Sequence, residues 1–184
     1  MTSKTSRRAV LAGAAALPAL ALPAIANDQD AELWRHADAI IRLWPEWERL
    51  FTTSNEAGWR MADLAKERAG FTPGMSGEER ETKFRAALEI ADRETGHSEW
   101  VDKFDLIEEP VQVHVQAIEK LPARSVLGLA AKAIAAGTAI SQAWDGPLAD
   151  TDWDDGRARL LIEATLTAAG VPNPFAGAGK AVQS

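Results

Sequence analysis

Residues 33–69 read LWRHADAIIRLWPEWERLFTTSNEAGWRMADLAKERA, and their spacing decides the fold. Leu33, Ala37, Ile40, Trp44, Trp47, Phe51, Ser54, Gly58, Ala62, Ala65 and Ala69 recur at steps of three and four. That rhythm keeps one stripe of a helix pointed in a constant direction, whereas a half-buried strand alternates every second residue. Sustained over about ten turns, it also matches the seam of a coiled coil. Pro45 lies inside the run. It removes a backbone donor and biases Trp44 away from helix, so a kink or restart is expected there, with Glu46 and Glu48 suiting a new first turn. The stretch therefore predicts two collinear helices or one kinked one.

Further along the chain the same rhythm returns after a loop, GFTPGMSG, at 70–77. Ser76 and Glu79 have the spacing of a capping box, and Phe84, Ala87, Leu88 and Ala91 line the helix that follows. Thr95-Gly96 ends it. Trp100, Phe104, Ile107, Val111, His114, Ile118 and Leu121 then mark a third helix, with Pro110 placed as Pro45 is in the first. Residues 111–115 alternate like a strand, but seven phased helical positions outweigh five alternating ones. Ser125 caps a fourth helix whose face, Val126, Ala130, Ala133, Gly137, Ile140 and Trp144, is mostly small, allowing close backbone approach. After Asp145-Gly146-Pro147 a last helix begins near Asp152, with Leu160, Leu161, Ala164 and Ala168 as its expected inner face. Gly170 and Pro172 stop it. Residues 172–184 are expected to form a disordered tail. The predicted fold is all-α: an elongated antiparallel helical bundle with coiled-coil-like seams over 27–171.

Residues 1–26 have a different character. Lys4, Arg7 and Arg8 precede an Ala-rich apolar stretch, 9–26, interrupted by Gly13, Pro18 and Pro23 and closed by Ala24-Ile25-Ala26. Two prolines and a glycine argue against a membrane span, which wants about 20 continuous apolar residues. A basic start, an apolar core and a small-x-small end describe a signal peptide, with Ala24 and Ala26 in the cleavage motif. Ser6-Arg7-Arg8-Ala9-Val10-Leu11 resembles the twin-arginine (Tat) consensus, with Val10 where Phe is usual and Ala12 where Lys is common. The resemblance makes Arg7 and Arg8 the export motif, implies passage of folded cargo through the Tat translocon, and places the mature protein in the periplasm or outside the cell. No stable membrane anchor is expected after cleavage.

Composition narrows the functions open to the mature chain. The full chain of 184 residues carries −7; three of its 20 Lys and Arg and none of its 27 acids lie in the leader, so the remainder stands at −10. Such a chain is ill-suited to nucleic acid, where each phosphate contact requires a cation. Its length supports a single core. With no cysteine, disulfides, zinc–thiolate sites and thiol nucleophiles are excluded.

Motifs for chemistry are sparse. Asp150, Asp152 and Asp154 alternate as in the opening of a calcium loop, and are the metal candidates. Asp155 stands where that loop needs glycine, however, and Leu161 where it needs a bidentate glutamate. Glu94 and His97 have the spacing of a di-iron carboxylate motif, but no second copy exists and Gly96 separates them. Glu32 and His36 share a helix face as an i,i+4 pair. His114 falls on an apolar seam, where a hydrogen-bonded core histidine is expected, and the three histidines are not expected to converge. No nucleophile elbow, Ser-x-x-Lys or complete phosphate-binding loop occurs in the mature chain. Of seven tryptophans, Trp44, Trp47, Trp100 and Trp144 fall on predicted core faces, and Trp34, Trp59 and Trp153 do not.

Two features, Ser6-Arg7-Arg8-x-x-Leu11 with the Ala-rich leader and Leu121-Pro122-Ala123-Arg124-Ser125-x-x-Gly128-x-x-x-Lys132, resemble those of small Tat-leader helical proteins of unknown function from Gram-negative bacteria. That resemblance implies export and a helical fold but no activity. The sequence thus points to a non-enzymatic structural or interaction protein, with self-association or an unknown protein partner, no catalytic residue and no cofactor. A periplasmic metal- or small-ligand-binding protein is the alternative.

Overall fold

A computed structural model describes residues 30–176, and within them the chain is helical with no strand. Arg7, Arg8, Ala24 and Ala26 lie outside the described residues. Five α-helices follow in order: α1 (Ala31–Ala69), α2 (Gly77–Thr95), α3 (His97–Lys120), α4 (Val126–Ala139) and α5 (Trp153–Ala168). Two short 3-10 turns, Ser141–Trp144 and Leu148–Asp150, join the last two. No helix among the described residues is long and apolar enough to cross a membrane.

The helix α1 runs through Pro45 as one 39-residue element, roughly 58 Å long, and α3 likewise continues through Pro110. An interior proline costs a helix about 3 kcal/mol. Here aromatic packing on both sides of Pro45 offsets it. Trp44 stacks on Trp47 at 4.6 Å between ring centroids, and Trp47 stacks on Phe51 at 4.8 Å. Glu46 does not open a new helix; it pairs with Arg49.

Contacts along α1 fix the direction of its partners. His36 meets His114, Trp47 meets Phe104 and donates its indole N–H to Glu108, and Gly58 faces His97, so α3 runs antiparallel to α1. Beyond that, Ala65 and Ala69 pack with Ala87 and Ala91 of α2. Arg68 clamps Glu94 through two bonds of 2.7 and 2.6 Å. The anticipated capping box is present: Glu79 N–H donates to Ser76 Oγ at 3.2 Å, and Ser76 N–H donates to the Glu79 carboxylate at 2.9 Å. Gly96, with φ 65°, breaks the path between α2 and α3, and Asp92 stitches across it by accepting from Ser98 N–H and Oγ. The strand-like alternation at 111–115 is helical, as the longer phase requires.

The helices α4 and α5 close the core over the amino-terminal half of α1. Two expectations fail here. The inner face of α5 is Gly156, Ile162 and Leu166, while Leu160 and Leu161 are 50% and 70% exposed. Arg159 explains the choice. Its guanidinium donates to the carbonyls of Ala143 (2.7 Å) and Gly146 (2.9 Å), lies over the Trp144 ring and pairs with Glu163, which sets the roll of α5. On α4, Val126 likewise points outward.

The tail departs from expectation as well. Of residues 172–184, 172–176 belong to the folded unit and 177–184 lie outside the described residues. Phe175 is 1% exposed, between Trp44 (edge-on, 4.7 Å) and Trp144 (stacked, 4.9 Å). It fits because α4 offers Gly137: a Cβ there would come within 2.2 Å of the Phe175 ring. Replacing Phe175 by Ala is expected to cost about 3–5 kcal/mol, a typical penalty for emptying a buried aromatic site. Urea unfolding followed by circular dichroism measures it, and an unchanged midpoint would show that the segment is dispensable.

Candidate functional site

The motif 121–132 is structural. Ser125 Oγ accepts from Gly128 N–H at 3.1 Å and so caps α4. It also donates to Asp30, which is 1% exposed and accepts in addition from Arg124 N–H at 3.1 Å. A Cβ on Gly128 would sit 2.7 Å from the Asp30 carboxyl group, so glycine is needed for Asp30 to reach the positive end of α4. Lys132 Nζ donates to the carbonyls of Ile118 (2.6 Å) and Glu119 (2.9 Å), caring for the open end of α3. The pattern that looked like a family signature is a fastening between the start of α1 and the α3–α4 turn.

The metal candidates are not assembled. Asp150, Asp152 and Asp154 are exposed around the entry to α5. No group of three or more His, Asp or Glu among the described residues has metal-holding geometry. Glu94 is held by Arg68, and His97 lies over Gly58. Glu32 pairs with Arg35 rather than with His36.

Two histidines do converge, against expectation. His36 on α1 and His114 on α3 place their Nδ1 atoms 2.9 Å apart, with ring centroids 5.2 Å apart. The centroid distance is close to the nitrogen separation plus two ring radii, so the two nitrogens face each other nearly head-on. That is the geometry of one Nδ1–H donating to the other ring's Nδ1. Lone pairs chelating one metal would converge at an angle. The contact is thus a hydrogen bond between the two rings, its direction set by their tautomers. Burial first, and then the neighbouring His36, holds His114 below the ordinary imidazole range. The pairing was invisible in the sequence because its members are 78 residues apart and neither lies in a motif.

A second unforeseen pair is acidic. Partial burial, and secondarily the charge of Asp145, raises Glu48 above the usual carboxylate range; Asp145, though exposed overall, is raised by partial desolvation of its carboxyl group. The tryptophans also divide differently from expectation. Trp34 is buried at 7% exposure, and its indole N–H and that of Trp44 have no acceptor among the described residues. Trp100 is half-buried with Lys103 over its ring. Trp59 and Trp153 stay outside, at 69% and 68% exposure.

Trp153 does not stand alone. Along the outer face of α5 it is followed by Arg157, Leu160, Leu161, Ala164 and Ala168, all exposed, and Arg157 lies over the Trp153 ring at 3.7 Å. Three of them, Trp153, Leu160 and Leu161, are large and apolar, and no element of the described chain packs on them. Singly exposed apolar residues are ordinary; three large ones in line on one helix face make this the candidate site. No protein-family model, curated protein or solved structure matches the chain.

The histidine pair makes a pH-dependent prediction. His114 takes up a proton more readily unfolded than folded, so its contribution to stability is complete above about pH 6.5 and is lost as the pH falls through the lower folded value. The urea midpoint should decline from pH 7.5 to pH 5, and decline less in a His114→Leu chain. Identical slopes in the two chains would remove the pair from the account.

Proposed function

We propose that this chain is an exported helical protein that works by binding another protein surface rather than by catalysis. One observation carries the reading: the outer face of α5 presents Trp153, Leu160 and Leu161 at 68%, 50% and 70% exposure, in line on a single helix. Helix-in-groove and helix-on-helix recognition use anchors at this spacing. The histidine and acidic pairs lack the third group that a chelating site or a nucleophile–base–orienter set requires, and the contact surface is the larger feature. Packing against α4 and the Ser141–Trp144 turn, with the Arg159 hydrogen bonds, holds α5 in fixed presentation.

Export rests on the leader. The paired Arg7 and Arg8, the modestly apolar stretch after them and the Ala24-x-Ala26 end favour the Tat route, delivery of an already folded domain, and a periplasmic or secreted destination. Replacing Arg7 and Arg8 together by Lys is expected to leave the protein in the cytoplasm as uncleaved precursor. Export unchanged by that substitution would instead indicate the Sec route.

For the contact itself, a photoreactive residue in place of Leu161 should form covalent adducts with protein in the exported fraction. The same residue in place of Leu106, 74% exposed on α3, should not. Equal labelling at both positions would overturn the interaction reading.

A further inference from the structure

The order of side chains on the outer face of α5 specifies its occupant. The exposed positions of α5, 153, 154, 157, 160, 161, 164, 167 and 168, are spaced by 1, 3, 3, 1, 3, 3 and 1, a series that reads the same in both directions. A second copy of the helix, laid antiparallel with a two-fold axis between Leu160 and Leu161, therefore brings every stripe position onto another stripe position. The pairing sets Trp153 against Ala168, Arg157 against Ala164, and Leu160 against Leu161. A large side chain faces alanine at the two outer steps, leucine meets leucine at the axis, and the alanine end lets the helices approach closely.

Charge selects the same arrangement. Asp154 and Arg157 are the charged exposed positions of this side of α5, and the antiparallel pairing sets Asp154 against Thr167. A parallel pairing would set Arg157 on Arg157 and Trp153 on Trp153. The antiparallel pairing separates the two arginines by about two helical turns, and each stays stacked on its own indole. Burying the stripe removes roughly 500 Å² per copy, about 1,000 Å² in all, which is the lower bound for a specific contact and fits a dimer that dissociates on dilution. We propose that the occupant of this face is a second copy of the chain, giving a symmetric dimer about α5. The proposal rests on the reading of α5 as a contact surface and names its partner.

Sedimentation velocity of the full chain between about 1 and about 100 μM tests it, a range that spans the dissociation of a weak, micromolar dimer. The expected result is a monomer–dimer equilibrium. Leu161→Asp should weaken it at least tenfold without changing the circular dichroism spectrum, while Leu106→Asp on α3 leaves it intact. The chain has no cysteine, so a single Leu160→Cys substitution adds a clean reporter: it should oxidise to a covalent dimer much faster than Leu106→Cys. A monomer at every concentration, a dimer indifferent to Leu161→Asp, or equal oxidation of the two cysteine variants would each overturn the second copy. If the Leu161 photoadduct has the mass of this chain plus a different protein, the second copy falls and the interaction reading stands. If it forms within one chain, a terminal segment covers α5 and both fall.

Discussion

The face of α1 that carries Leu33, Ala37, Ile40, Trp44 and Trp47 must be covered for the chain to fold, and no single helix does so along its whole length. Two helices divide the antiparallel side between them: α3 takes His36 and Trp47, and α2 takes the alanines at 65 and 69. The break between them sits at Gly96, whose left-handed conformation no other residue adopts without strain. The change in side-chain size along α1, from indoles to methyl groups, separates a large main core from a small satellite of four buried alanines. Burial of apolar area dominates folding energetics, so stability is concentrated at the amino-terminal end of α1, where α4, α5 and Phe175 also meet.

That end is apolar and dense, and apart from the indole N–H groups of Trp34 and Trp44 its buried side-chain polar groups are satisfied internally among the described residues. Asp30 is buried yet held by Ser125 and the Arg124 N–H, beside the amino end of α4; Lys132 serves the last carbonyls of α3; Arg159 serves those of Ala143 and Gly146. Each of these links bridges elements that meet at turns, where helices leave donors and acceptors unpaired. Packing supplies the attraction, and the polar links set register. A buried polar group that loses its partner is costly, so these few contacts discriminate strongly against slipped arrangements.

Much of this was legible in the chain itself. The seams of α1 and α3 follow from spacing alone because one face of each is apolar and the other charged. The caps at Ser76 and Ser125 follow from local chemistry. What was not legible depends on pairs distant in sequence. His36 and His114 meet only because α1 and α3 are antiparallel in one particular register. Phe175 sits in a segment of Pro, Asn and Gly whose composition signals disorder, and its burial depends on a notch at Gly137 that lies 38 positions earlier. Trp34 was missed because the core wraps around α1 more widely than a single stripe once α4 and α5 are added.

The error on α5 is the informative one. That helix carries two apolar stripes, Ile162 with Leu166 and Trp153 with Leu160 and Leu161, so periodicity alone offers no reason to prefer either as the inner face. Area would choose the second, which is bulkier. The structure chooses the first because Arg159 lies on the same side as Ile162 and Leu166 and can reach the carbonyls of Ala143 and Gly146 only when that side faces inward. Rolling α5 to bury Trp153 would strip those carbonyls of their donor and lift the guanidinium from Trp144. A polar constraint of two hydrogen bonds thus overrides an apolar preference, and the larger stripe is left facing outward. A helix apolar on both sides is what a domain core cut in half looks like, and that is the physical ground for treating α5 as an element shared between surfaces.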